Sequence, residues 1–273
     1  MINCGGAKVT DLNISESDPS PSKAERRRQR IIQTLMGGNS AAIRDLADAL
    51  GVSLMTVHRD LAALEKEGLV RRLRGSVSAE KSLLFESSYN YRSRKSTDEK
   101  RRLAEAAASR LEPGNAVIID DSTTSYHLCE FLPAIAPLTV ITNAAPILER
   151  LRHEPEIDLI STGGRYHPGY NGYFGANCEK AIRSYHVDVA ILSTTTIRGL
   201  SLYTPDEIVV RAKQAMMQVA RRRFLLADAS KFRFSALNYV AEITDFDLVL
   251  LTGDAPPEAL EQIAAAGVKV EIV

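Results

Sequence analysis

The sequence predicts an α/β domain built on a mostly parallel sheet, preceded by a small, basic, helical domain that ends in a hairpin. Three observations carry this. From residue 116 onward, seven short apolar runs (AVIID, LTVIT, IDLIS, VDVAILS, RRFLLAD, FDLVLLT and VKVEIV) alternate with stretches of helical length. Short runs that are apolar throughout, rather than at alternate positions, suit strands buried on both faces of a parallel sheet. Ahead of them, residues 23–79 hold three short helix-like segments and two strand-like ones around Arg74-Gly75-Ser76. That same segment carries 11 Lys or Arg against 6 Asp or Glu, a surplus of +5 in a chain of net charge 0, so the remainder is −5. A basic module on an acidic body points to a polyanionic partner for the module.

The composition bounds the class. At 273 residues, 45% hydrophobic and 25% charged, the chain is long enough for a sizeable core and is ordinary for a globular protein. No apolar run reaches the roughly 18–20 residues that a membrane span requires, and the N-terminus lacks the basic-then-apolar pattern of a secretory signal. Cys4, Cys129 and Cys178 lie far apart with no CxxC spacing, so neither a disulfide framework nor a zinc site is expected. A cytoplasmic protein with no metal, no cofactor and no membrane partner follows as the expectation.

Taken in order, residues 1–21 are rich in Ser, Asp, Pro and Gly and are expected to form a disordered tail. Ser22-Lys23-Ala24-Glu25 has the capping-box pattern, and a helix should follow with Ile31, Ile32 and Leu35 on one face, stopped by Gly37-Gly38. A second short helix through Leu46, Ala47 and Leu50 should end at Gly51. Ser53 is then a good N-cap for a third, with Val52 and Val57 at hydrophobic-staple spacing. Leu54, Val57, Leu61 and Leu64 form its expected buried stripe, which leaves Met55, Thr56, His58, Arg59 and Ala62 to point elsewhere. Asp60 is expected to pair with a nearby arginine, since a carboxylate facing phosphates would repel them.

Three helices and a basic hairpin over 22–79 make a winged helix-turn-helix, which places the start of its third helix in the DNA major groove. Ser53, Met55, Thr56, His58 and Arg59 are the candidates there, with Thr56, His58 and Arg59 reaching base edges. Arg71, Arg72 and Arg74 of the hairpin suit phosphates. Any one of these is ordinary on a surface. The combination of cap, staple, short preceding helix and basic hairpin raises the DNA reading.

Residues 80–98 are polar with scattered aromatics and are expected to be a linker. From Glu99 a helix should carry Leu103, Ala104, Ala107 and Leu111 on one face, closed by Pro113-Gly114. The rest, 99–273, is the α/β domain, and ligands of open α/β sheets bind beyond the carboxyl ends of the strands. Those ends read Asp120-Asp121-Ser122-Thr123-Thr124, Thr142-Asn143, Thr162-Gly163-Gly164, Ser193-Thr194-Thr195-Thr196 and Asp228-Ala229-Ser230-Lys231. Backbone N–H groups and hydroxyls at strand-to-helix turns suit a phosphate, and Lys231 would supply positive charge. Asp120, Asp121 and Asp228 would accept hydrogen bonds from sugar hydroxyls. One such loop is what any strand-to-helix turn prefers; several together favour a polar ligand site.

Both halves resemble one family, the DeoR family of bacterial transcriptional regulators. The resemblance covers residues 25–273, through LADALGVSLMTVHRDLAALEKEGLVRR in the first half. In the second half it runs through EKRRLA (99–104), IDDSTT (119–124), LTVITNA (138–144), TGG (162–164), RAKQAMM (211–217) and LADASKF (226–232). It implies a C-terminal domain related in fold to ribose-5-phosphate isomerase that senses a sugar phosphate. Three positions depart from the family pattern: His58 stands where the first of two arginines is usual, Arg74-Gly75-Ser76-Val77 replaces a His-Gly-Gly-Ala wing, and Asp121 adds charge to the first loop.

The expected function is a sequence-specific DNA-binding repressor of a sugar-catabolic operon, a dimer or tetramer, whose operator affinity a phosphorylated sugar modulates. Ser122, Thr123, Thr124 and Lys231 would hold the phosphate; Asp120, Asn143, Gly163, Gly164 and Asp228 would shape the rest of the pocket, with Asp121 and Glu207 also among the expected effector-binding residues. The rival is a sugar-phosphate isomerase or deaminase with an accessory helical module, for which Asp121 or Glu207 would be the general base. A third reading gives the winged helix protein contacts only, against which the +5 segment and the basic hairpin argue.

Overall fold

The computed structural model describes residues 23–38, 40–66, 70–79, 89–233 and 236–273. The expected tail (1–21), the capping residue Ser22 and the first part of the expected linker (80–88) lie outside these. The chain divides between Glu80 and Lys81 into two compact units.

The first unit runs α1 (Lys23–Gly38), β1 (Ser40–Ala42), α2 (Ile43–Leu50), α3 (Leu54–Lys66), β2 (Val70–Leu73) and β3 (Ser76–Ala79). Its sheet has the order β1-β3-β2 and is antiparallel, with Arg72 opposite Val77. The hairpin and three helices are those the sequence predicts; β1, three residues long, carries no apolar alternation and was not foreseen. Ile31, Leu35, Leu46, Val57, Leu61 and Val77 are buried and form the core. Gly51 ends α2 in the left-handed region at φ 64°, where a glycine carries no Cβ penalty.

One expected core residue is not in the core. Leu54 is 42% exposed, although it shares the helical spacing of Val57, Leu61 and Leu64. It is the first residue of α3, and side chains lean toward a helix's N-terminus, so Leu54 overhangs the end of the buried stripe. Asp60 occupies the stripe instead, buried, and accepts from Arg27 through both Nε and Nη2 (3.1 Å for the latter) and from Arg28 Nε at 3.4 Å.

The second unit contains α4 (Tyr89–Ser93), α5 (Thr97–Ala108), β4 (Ala116–Ile119), β5 (Leu138–Thr142), α6 (Ala145–Leu151), β6 (Ile157–Ser161), β7 (Arg165–His167) and β8 (Gly172–Phe174). It continues with α7 (Ala176–Arg183), β9 (Val187–Ser193), β10 (Thr196–Arg198), β11 (Ser201–Thr204), α8 (Glu207–Val219), β12 (Ala220–Ala227), β13 (Asn238–Glu242), β14 (Leu248–Leu251), α9 (Pro257–Ala265) and β15 (Val270–Ile272). Residues 89–98, expected as linker, therefore hold one helix and the start of another, and Tyr89 N–H donates to Gly169 O at 2.7 Å within this unit. Polarity alone conceals this, because the Tyr89 N–H and Arg92 O contacts of α4 are made by backbone groups, which no side-chain pattern reveals.

The seven predicted strands form one parallel seven-stranded sheet of order β15-β14-β12-β9-β4-β5-β6. Alternate residues feed two cores. Ile118, Ala190, Leu192, Leu225 and Val249 pack on one side, and Val117, Ile119, Val189, Ile191, Phe224 and Leu248 on the other. Strands β4 to β6 run outward in one direction and β9 to β15 in the other, so the chain reverses between β4 and β9. Crevices of open α/β sheets form at such a switch point. A small antiparallel sheet, β10-β11-β13, and a hairpin, β7-β8, complete the unit. Both lie in short segments broken by Gly and Pro, and neither shows the apolar runs that betray the main strands.

Candidate functional site

In the first unit, Ser53 Oγ accepts the Thr56 N–H at 3.2 Å and lies 2.9 Å from Thr56 Oγ1, so the start of α3 is capped as the sequence predicts. Met55, His58 and Arg59 are exposed and Thr56 is half-buried. Arg71 and Arg74 are exposed on the hairpin. Arg72 differs from them. Its Nη2 donates to His58 O at 2.9 Å and its Nε lies 3.2 Å from Glu65 Oε2, so it ties the wing to α3.

In the second unit, a narrow cleft with a cavity volume of about 20 Å³ lies at the switch point between β4 and β9. Asp121, Ser122, Thr123 and Thr124 line it from the β4 loop, and Ser193, Thr194 and Thr195 from the end of β9. Lys231, Lys213, Arg92 and Tyr170 close it from the sides.

Asp120 holds the two loops together. Its Oδ1 accepts from Ser122 N at 3.1 Å, and its Oδ2 accepts from Ser193 N at 2.8 Å and from Lys213 Nζ. Burial by itself would raise its pKa; the Lys213 ammonium and the two N–H donors outweigh burial and hold the carboxyl below the usual carboxylate range. Both oxygens are taken by protein donors, so Asp120 shapes the cleft rather than facing a ligand. Its neighbour is different. Asp121 is buried, its Oδ1 has no hydrogen-bond partner among the described residues, and burial pushes its carboxyl up despite the opposing charge of Lys213.

The remaining predicted residues separate. Ser122 Oγ meets Ser125 Oγ at 2.8 Å and Ser125 N at 3.0 Å, and Thr123 Oγ1 accepts from Lys100 Nζ at 3.0 Å. Asp228 caps the turn that carries Lys231, accepting from Ser230 N at 2.9 Å. Burial opposes ionisation of Asp228, and Lys231 together with that N–H overcomes it and lowers the pKa. Asn143 donates to Tyr173 O at 3.1 Å. Gly164, at φ 117°, has no room for a Cβ, which would lie 2.7 Å from Phe174 O. Asn143 and Gly164 thus serve the β7-β8 hairpin, whose connecting loop brings Tyr170 to the cleft; neither lines it, nor does the neighbouring Gly163. Glu207 is the clear misplacement. It is exposed, 2.5 Å from Arg211 Nη1, and does not line the cleft, because it sits in the first turn of α8.

Lys213, Lys100 and Arg92 are not among the site residues that the sequence predicts. Two of these left a signal. Lys213 sits on the apolar stripe of Val209, Val210 and Met216, and Lys100 on that of Leu103, Ala104 and Ala107; a lysine there must find a partner. Burial and the nearby Lys231 lower Lys100 to about 7. Arg92 left none, since it stands in a stretch that reads as linker. Its Nε and Nη2 are buried without hydrogen-bond partners among the described residues, and its guanidinium lies 5.6 Å from the Tyr170 ring centroid. Ser193 Oγ is likewise unpartnered. Buried polar atoms are ordinarily paired, so these unpaired donors and acceptors leave the cleft able to hold a polar ligand.

A winged helix joined in one chain to an α/β unit with a polar cleft at its switch point is the layout of a ligand-responsive transcriptional regulator. The chain belongs to the DeoR family: residues 27–82 match the DeoR-like helix-turn-helix domain and residues 95–252 the DeoR C terminal sensor domain. It is 30% identical over 269 residues to a putative aga operon transcriptional repressor of Escherichia coli O157:H7, covering 95% of this chain and 99% of that one. It is 26% identical over 231 residues to an L-fucose operon activator of Haemophilus influenzae, covering 84% and 92%. Among solved structures, a ribose-5-phosphate isomerase in complex with phospho-erythronic acid is similar over 50% of this chain and 54% of its own, at 12% identity and a TM-score of 0.38. The relatives that span nearly the whole chain are regulators of transcription, which supports a regulator and not the isomerase or deaminase alternative.

Proposed function

We propose that the protein represses a sugar-catabolic operon by binding its operator through α3 and the β2-β3 wing, and that a phosphorylated sugar in the cleft alters that binding. The observation that carries the effector reading is the cleft itself: cationic Arg92 and Lys231 with the hydroxyls of Ser122, Thr123 and Thr124 suit a phosphate, while Asp121 and Ser193 present unpaired acceptors to hydroxyl groups. Thr56, His58 and Arg59 are exposed enough to read bases, and Arg71 and Arg74 to hold phosphates. Arg72 supports the wing's position more than it offers a free charge. Two half-sites of an operator call for a homo-oligomer, and the cytoplasm is where its DNA lies.

The test is fluorescence anisotropy with the protein and the DNA upstream of its own gene, at fixed salt, with and without a panel of sugar phosphates. Preference over random DNA, lost in His58→Ala/Arg59→Ala and shifted by one sugar phosphate, is the expected result. Consumption of a sugar phosphate without specific DNA binding would overturn it.

A further inference from the structure

The cleft is not closed by the sensor domain alone. Arg92 lies between the two matched regions, beyond the end of one at 82 and before the start of the other at 95. Its carrier, α4, has five residues, far fewer than the roughly 12–15 at which an isolated helix becomes even marginal in water. Its place therefore depends on what holds it. The ties that hold it include Tyr89 N–H to Gly169 O, Lys100 Nζ to Arg92 O, and the Arg92 guanidinium over Tyr170. Against these stands the cost of two buried guanidinium nitrogens with no acceptor among the described residues. The same guanidinium lines the cleft.

We propose that Arg92 is an anion-binding residue of the cleft, delivered from outside the matched sensor region, and that an anionic ligand seated on it fastens α4 to the rest of the second unit. The inference rests on the effector reading above and adds the route by which occupancy reaches the segment leading to the DNA-binding unit. An anion supplies the acceptor that the buried Nε and Nη2 lack. It also favours the ammonium form of Lys100, whose charged hydrogen bonds to Arg92 O and Thr123 Oγ1 are the stronger ones, so both ties tighten together. A ligand shifts such an equilibrium only by its differential affinity for the docked state, and Arg92 is where that difference arises.

The experiment uses the full chain, its R92Q and R92K variants, and a panel of pentose and hexose phosphates with the unphosphorylated sugars as controls. Calorimetry gives affinity, and amide hydrogen exchange over residues 89–95 gives the docking of α4. For the panel member that binds the wild type, R92Q is expected to bind about 10- to 100-fold more weakly, the range for a lost charged hydrogen bond, and R92K to lose less. Ligand is expected to slow exchange in α4 of the wild type and not of R92Q. Equal affinity of R92Q and wild type, or α4 exchange in the wild type indifferent to a bound ligand, overturns the proposal while leaving the effector reading in place; the exchange measurement needs no variant to fold. If no phosphorylated sugar binds the wild type, the effector reading itself fails and this inference with it.

Discussion

Lys213→Met removes the ammonium from a carboxylate that has no access to water. Asp120 is fully buried and keeps only the Ser122 and Ser193 N–H donors once Lys213 is gone. Removing one partner of a buried pair costs about 3–5 kcal/mol, because the other charge is left uncompensated. At about 2–4 °C per kcal/mol for a unit of this size, the second unit should melt about 6–20 °C lower. The assay is thermal unfolding followed by tyrosine fluorescence: the chain has no Trp, and all nine Tyr lie at or beyond residue 89, so the signal reports the second unit alone. Asp120→Asn/Lys213→Met removes both charges and should recover about 1–3 kcal/mol relative to the sum of the single changes. A Lys213→Met protein within about 1 kcal/mol of the wild type, or a double variant equal to that sum, would refute the account of Asp120 as the charge that joins the β4 and β9 loops. The linkage has a definite sign. A carboxyl whose folded pKa is depressed stabilises the fold above its unfolded pKa and loses that contribution as pH falls through the folded value, so acid unfolding of the wild type should be steeper than that of the double variant.

Asp60→Ala should destabilise the winged helix by about 1–3 kcal/mol, discounted because Arg27 and Arg28 keep partial access to water, and should lower the helical circular dichroism transition without moving the tyrosine transition. Gly164→Ala should cost about 2–4 kcal/mol through a Cβ 2.7 Å from Phe174 O at φ 117°; a stable, tightly folded variant by thermal melting would contradict the packing described. Lys100→Met should be more stable than the wild type at pH 6.5, and the gap should narrow as pH rises from about 7 toward about 10. In that window the unfolded chain holds the Lys100 proton and the native state does not, so wild-type stability climbs with pH. A gap in melting temperature that stays constant from pH 6.5 to 9.5 would speak against a lowered Lys100.

Much of the molecule is legible in the sequence. Seven strands announced themselves as apolar runs because both faces of the sheet are covered, so neither face needed polar residues. Ser53, Gly51 and the Val57-Leu61-Leu64 stripe located α3 because capping and helical periodicity are local properties of the chain. The loops Asp120–Thr124 and Ser193–Thr196 drew notice for the same kind of reason, since hydroxyls and carboxylates cluster where strands end. Where the local rule met an edge it failed: Leu54 keeps the spacing of a core residue and loses the core to its position at the helix start.

What only the tertiary structure decided is which of those polar residues face each other. Asp120 and Asp121 are neighbours with the same side chain, yet one is bonded on both oxygens and held ionised while the other has an oxygen without a partner among the described residues and is pushed toward its neutral form. Nothing in the dipeptide distinguishes them. The difference comes from Lys213, 93 residues away, and from the reversal of strand order that sets β9 beside β4. Arg92 reaches the cleft by the same means. Propensity, periodicity and capping act between residues a few positions apart and are written in the sequence. Desolvation and pairing depend on which distant segments exclude water from a given atom, and only the folded chain specifies that.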